Sequence, residues 1–135
     1  MKLFYLTSLV ALLSYGSADQ DTAINFLEIN HSEVLEKAKE EKMNVMLYFY
    51  LETCTMCDSM GKITFEDSGV ATFVNDNFLA IKINTRSAEG MRANRIYQIR
   101  NHPGIIFLDS ESNEVHRISG FLNPSSFLSE AKKAF

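Results

Sequence analysis

Apolar positions along this chain switch repeatedly between the two-residue period of a strand and the longer period of a helix. Residues 24–29 (INFLEI) alternate in part and predict a short strand. Asn30, His31 and Ser32 supply capping chemistry, and residues 32–42 predict a charged helix with Val34, Leu35 and Ala38 on its apolar side. Residues 45–50 (VMLYFY) are an unbroken apolar run, the pattern of a strand buried on both faces. Residues 57–62 predict a helix in which Gly61 marks a kink, and residues 67–75 resume it. Residues 78–83 (FLAIKI) predict a second central strand, and residues 89–97 a helix carrying Met91, Ile96 and Tyr97. Residues 105–108 (IIFL) and 115–119 predict a hairpin across a polar turn at 109–114. Asn123 followed by Pro124 is a cap with proline at the first helical position, so residues 125–134 predict the closing helix.

Strands alternate with helices up to the final hairpin. Such alternation predicts parallel crossovers and an α/β fold, with a central mixed sheet of about five strands and helices on both faces. No repeat, low-complexity tract or linker divides it.

Residues 1–18 read differently. Lys2 is followed by an apolar stretch over residues 3–13, interrupted by Thr7 and Ser8, and then by Gly16, Ser17 and Ala18. That is the layout of a cleavable secretory signal, and the run falls short of the about 20 apolar residues a membrane span needs. Residues 19–135 are then the single folded domain, placed in the periplasm, or secreted where there is no outer membrane. The net charge of −4, with no basic cluster, argues against nucleic acid as a partner.

Export changes the meaning of the cysteines. The chain has two, Cys54 and Cys57, separated by Thr55 and Met56. Outside the cytosol such a pair is a staple or a working redox couple. A bridge closing so short a loop removes little chain entropy, which disfavours the staple. The pair stands where a buried strand gives way to a helix. Cys54 would meet the unpaired N–H groups of the helix start, which stabilise a thiolate, the species that attacks a disulfide. Cys57, about one turn on, would resolve the mixed disulfide. Met56 offers apolar surface for docking. Glu52 is a candidate proton acceptor for Cys57, or a plain surface carboxylate. No cofactor is required. His31, His102 and His116 show no metal spacing with the cysteines, so no metal site is assigned. A thiolate pair can nevertheless hold Cu(I), which keeps metal handling as an alternative. A peptide-binding protein whose disulfide stays shut is another. His102-Pro103 precedes the IIFL strand, either as a simple strand entrance or as a cis-proline turn.

The VMLYFY strand, the C-x-x-C, the FLAIKIN strand, the segment YQIRNHPGIIFLDSES and Gly120 before the last helix resemble the thioredoxin superfamily over nearly the whole of residues 19–135. The stretches CTMCDSMGKITFEDSGVATFVNDNFLAIKIN and GFLNPSSFL are similar to exported bacterial members, the SoxW-type proteins and the C-terminal domain of membrane thiol:disulfide interchange proteins. The resemblance implies a thioredoxin-like fold and a thiol–disulfide oxidoreductase acting on protein disulfides, more often as a reductant. It also implies a membrane electron-transfer partner with its own cysteine pair. Cys54 and Cys57 match the redox pair and Pro103 the cis-proline beside it. His102 matches the residue whose backbone pairs with an extended substrate segment. Three positions depart from the family pattern: Thr53 stands for the usual Trp, Tyr48 for the buried acid of thioredoxins, and His102 for Thr or a small apolar residue. A charged His102 near Cys54 would favour its thiolate further.

Overall fold

The computed structural model describes residues 21–135, so the signal read in residues 1–18 lies outside the described residues. The element order is α1 (His31–Glu41), β1 (Asn44–Tyr50), α2 (Thr55–Ser59), a π-helical turn (Met60–Thr64), α3 (Ser68–Asn77), β2 (Phe78–Asn84), α4 (Ala88–Tyr97), β3 (Gly104–Leu108), β4 (Glu114–Ser119), α5 (Pro124–Ala131) and a short 3-10 turn (Lys132–Ala134).

The caps explain the boundaries. Asn30 and Glu33 form a reciprocal capping box at α1. Asp67, Ser87 and Asn123 cap α3, α4 and α5 through their side chains. Gln98, in the left-handed conformation, ends α4.

The sheet has four strands in the order β2-β1-β3-β4. Its alternating side chains divide between two cores. Met46, Tyr48, Phe78, Ala80, Ile105 and Phe107 meet α3, the π-helical turn and α5. Val45, Leu47, Phe49, Ile81, Ile106 and Leu108 meet α1 and α4.

Two expectations are corrected. Residues 24–29 do not form a fifth strand: only Phe26 bridges β2, at Ala80. The backbone donors of this segment are shared among three partners, with Ile24 N–H on the Phe65 carbonyl, Asn25 N–H on Asn75 Oδ1 and Leu27 N–H on the Ala80 carbonyl. A ladder cannot propagate when each donor faces a different element. The crossover from β2 to β3 is not parallel either. β1 and β2 are parallel, but β3 runs antiparallel to β1 with Phe49 opposite Gly104. After α4 the segment 98–103 carries the chain to the end of the sheet where β1 stops, so β3 must enter there. A strand–helix–strand pattern does not reveal which end the connection reaches.

Two outcomes test these packings. A Cβ on Gly90 would lie 1.9 Å from the Asn84 carbonyl oxygen, because the first turn of α4 sits directly on the end of β2. Gly→Ala inside a helix ordinarily stabilises. Here Gly90→Ala is expected to destabilise by about 1–3 kcal/mol, read by chemical denaturation. His31 shares a hydrogen bond between its Nε2 and the Tyr97 hydroxyl, joining α1 to α4. Burial lowers its pKa, partly offset by Glu89. The unfolded chain therefore takes up this proton first, and stability falls as pH drops below the ordinary histidine value of about 6.5. Melting curves between neutral and mildly acid pH should show that fall, with a shallower slope for His31→Asn.

Candidate redox site

The site grows from the end of β1. The strand closes at Tyr50, and residues 51–53 lead to Cys54, the N-cap of α2. Cys54 has extended backbone angles and its Sγ accepts the Cys57 N–H at 3.1 Å. The two sulfurs are joined in a disulfide, with the Cα atoms 5.2 Å apart. Cys54 is half-buried, whereas Cys57 is only 5% exposed. Cys54 is thus the more exposed of the two cysteines. Met56, between them, is 47% exposed and presents a flexible apolar side chain beside Cys54.

The helix changes pitch after one turn. The predicted helix over 57–62 is instead α2 followed by the π-helical turn, closed by the Phe65 N–H on the Met60 carbonyl. Gly61 lies in that turn. Thr64 anchors it through a hydrogen bond to the Leu122 carbonyl, just before α5.

β3 brings in the second half. The His102–Pro103 peptide bond is cis. Pro103 is buried and its carbonyl accepts the Gly120 N–H at 2.8 Å. Gly120 has φ +89°, so this chain reversal after β4 suits glycine. His102 Nε2 shares a 2.7 Å hydrogen bond with the Thr85 hydroxyl. Thr85 is itself tied to the end of β1 by its N–H on the Tyr50 carbonyl. Burial lowers the His102 pKa, and the Arg86 guanidinium lowers it further. Both effects disfavour the charged imidazole, and with it the extra thiolate stabilisation that a charged His102 would supply.

A cleft of about 400 Å³ opens beside Cys57. Tyr48, Tyr50, Phe26 and Phe65 give it aromatic walls, and Glu52, Asp58, Glu66, Lys62 and Lys82 supply charge. Glu52 is exposed, with Oε1 accepting a long hydrogen bond from Asn84 Nδ2 at 3.5 Å. The cleft brings Glu52 and Cys57 to one space. Lys82 Nζ lies over the Phe26 and Tyr50 rings, 5.5 and 5.4 Å from their centroids. Among the described residues no three His, Cys, Asp or Glu side chains converge as a metal cluster.

Sequence reasoning singled out Cys54, Cys57, Met56, Glu52, His102 and Pro103, and passed over Thr85 and Lys82. Lys82 carried a signal, as the only charge inside FLAIKIN. Thr85 carried none, because its importance depends on the fold bringing the β2 end to His102.

The profile of the Thioredoxin-like domain matches residues 32–135. The chain is 31% identical over 133 residues to the thiol:disulfide interchange protein DsbD of Vibrio vulnificus, covering 90% of this chain and 22% of that relative. The chain thus spans about a fifth of the length of the curated relatives it matches. The solution structure of a putative disulphide-isomerase from Bacteroides thetaiotaomicron is similar at a TM-score of 0.75 and 26% identity, over 85% of this chain and 95% of that one. A thioredoxin from Thermus thermophilus is similar at a TM-score of 0.74 and 25% identity, over 82% of this chain and 86% of that one. With the profile spanning most of the chain and the C-x-x-C pair joined at the start of α2, the chain belongs to the thioredoxin-like domain family.

Proposed function

We propose that this chain is an exported thiol–disulfide oxidoreductase that reduces protein disulfides. The observation that carries the reading is the asymmetry of the pair: Cys54 is half-buried and its Sγ accepts the Cys57 N–H, while Cys57 is buried. The N–H on Sγ favours the thiolate at Cys54 over a thiol in solution.

In the reduced protein the Cys54 thiolate attacks one sulfur of a substrate disulfide. A Cys54–substrate bond forms, and the other substrate sulfur leaves as a thiolate. Cys57 then loses its proton and attacks Cys54 Sγ. The intramolecular disulfide forms, and the second substrate sulfur leaves as a thiolate. The substrate gains two electrons and the pair loses them. Glu52 is the proposed acceptor of the Cys57 proton, through the cleft that both line.

His102 and Pro103 form the other lip of the site. An extended substrate segment would lie along this lip and pair with the His102 backbone in the manner of strand addition. Exposed Met56 would cover the apolar part of the segment. Oxidised protein must be recharged, and the proposed donor is a membrane electron carrier with its own cysteine pair. Export to the periplasm rests on the pattern of residues 1–18, and the reducing direction on the likeness to thiol:disulfide interchange proteins.

Two measurements check this reading. Cys54→Ser should abolish reduction of a model protein disulfide, whereas Cys57→Ser should accumulate a mixed disulfide, visible as added mass that dithiothreitol removes. Full turnover by Cys54→Ser would overturn the mechanism. The equilibrium potential in glutathione buffers, read by alkylation, should lie near about −250 mV or below for a reductant. A value near about −120 to −180 mV would reverse the proposed direction.

A further inference from the structure

The geometry points to Tyr48 as the positioning residue for the resolving cysteine, holding the Cys57 backbone through a hydrogen bond from its hydroxyl to the Cys57 carbonyl. This deepens the proposed function and rests on its two-step exchange.

Tyr48 lies in β1 on the face shared with the cleft and is 3% exposed. Its hydroxyl is 3.2 Å from the Cys57 carbonyl oxygen, which also accepts the Met60 N–H where α2 passes into the π-helical turn. The Cys57 N–H is engaged on Cys54 Sγ. The resolving residue is thus gripped at both backbone groups, one grip coming from its sulfur partner and the other from the central strand. The ring is fixed in turn, with Phe65 edge-on at 4.8 Å, Tyr50 stacked at 5.9 Å and Phe26 tilted at 6.0 Å between centroids. A rigid phenol on a rigid strand sets the distance from Cys57 to Cys54 after the disulfide opens. That distance governs the intramolecular step and leaves the bimolecular one alone.

Tyr48 does not act as the base. Burial, with Asp58 and Tyr50 adding to it, pushes its pKa up to about 12, so the phenol stays protonated and only donates. The residue that stands where thioredoxins carry a buried acid therefore holds Cys57 and leaves the proton to the carboxylates lining the cleft.

The test uses reduced full-length protein and 5,5′-dithiobis(2-nitrobenzoate). Attack by Cys54 releases one coloured thiolate, and attack by Cys57 on the mixed disulfide releases the second. Tyr48→Phe keeps the ring and removes only the hydroxyl. The expected result is an unchanged first phase and a second phase slowed about fivefold, the scale of one lost hydrogen bond. Equal slowing of both phases, or no change in either, would overturn the inference. The pH profile of the second phase gives a check that does not depend on the variant alone. It should keep one shape in wild type and Tyr48→Phe. Loss of an inflection below pH about 9 in the variant would make Tyr48 a base and sink the positioning role. Absence of both phases in wild type would instead strike the proposed function itself.

Discussion

Double burial of β1 is the constraint on which the rest of the structure depends. Val45, Met46, Leu47 and Phe49 are fully buried, and hiding side chains of this kind contributes about 1.5–3 kcal/mol each. A strand that is apolar on both faces must be covered on both. One layer of helix cannot do so, which is why α1 and α4 take one side while α3 and α5 take the other. Both edges of β1 are also paired, to β2 and to β3. Its C-terminal end is therefore among the most constrained points of the backbone, and a reactive pair placed just beyond it inherits that rigidity.

The antiparallel entry of β3 gives that end its second function. Because Phe49 faces Gly104, the turn containing His102 and Pro103 lies at the same end of the sheet as the turn leading to Cys54. Thr85 closes the arrangement at the end of β2, reaching the Tyr50 carbonyl with its N–H and His102 with its hydroxyl. Three strand ends thus converge around the disulfide. A parallel β3 would have carried Pro103 to the end of the sheet far from Cys54.

The legibility of this protein in its sequence follows how local each cause is. VMLYFY and IIFL announce buried strands because nothing in them tolerates water. The caps Asn30, Asp67 and Asn123 announce helix starts because their chemistry acts within a few residues. The C-x-x-C announces the pair for the same reason, since the strand-to-helix junction and the cysteine spacing are both local. Residues 24–29 misled because partial alternation records which side chains face inward, not where the backbone donors go. The direction of β3 was hidden because it depends on how the segment after α4 is routed. His102 was visible as a departure from the family pattern, but the lowering of its pKa was not. That lowering comes from burial and from Arg86, which lies sixteen positions earlier in the chain.

The exchange of an acid for Tyr48 has a consequence for the charge across the sheet from it. Tyr48 is opposite Lys82 in the β1–β2 register, and both line the cleft beside Cys57. A buried carboxylate at that position would face the ammonium, and its charge would have to be desolvated or paired. A phenol needs only one hydrogen-bond partner, which the Cys57 carbonyl provides at little electrostatic cost. Without an anion at position 48, Lys82 remains exposed and rests over the Phe26 and Tyr50 rings. The cleft thus holds Lys82 exposed and a neutral, buried donor at Tyr48. A thiolate forming at Cys57 during exchange would meet Lys62 and Lys82 as well as Glu52, Asp58 and Glu66 in the cleft, and a neutral phenol rather than an acid at position 48. On the proposed mechanism, a phenol in place of the acid separates two tasks that a single buried carboxylate would combine: holding the second cysteine in place and accepting its proton.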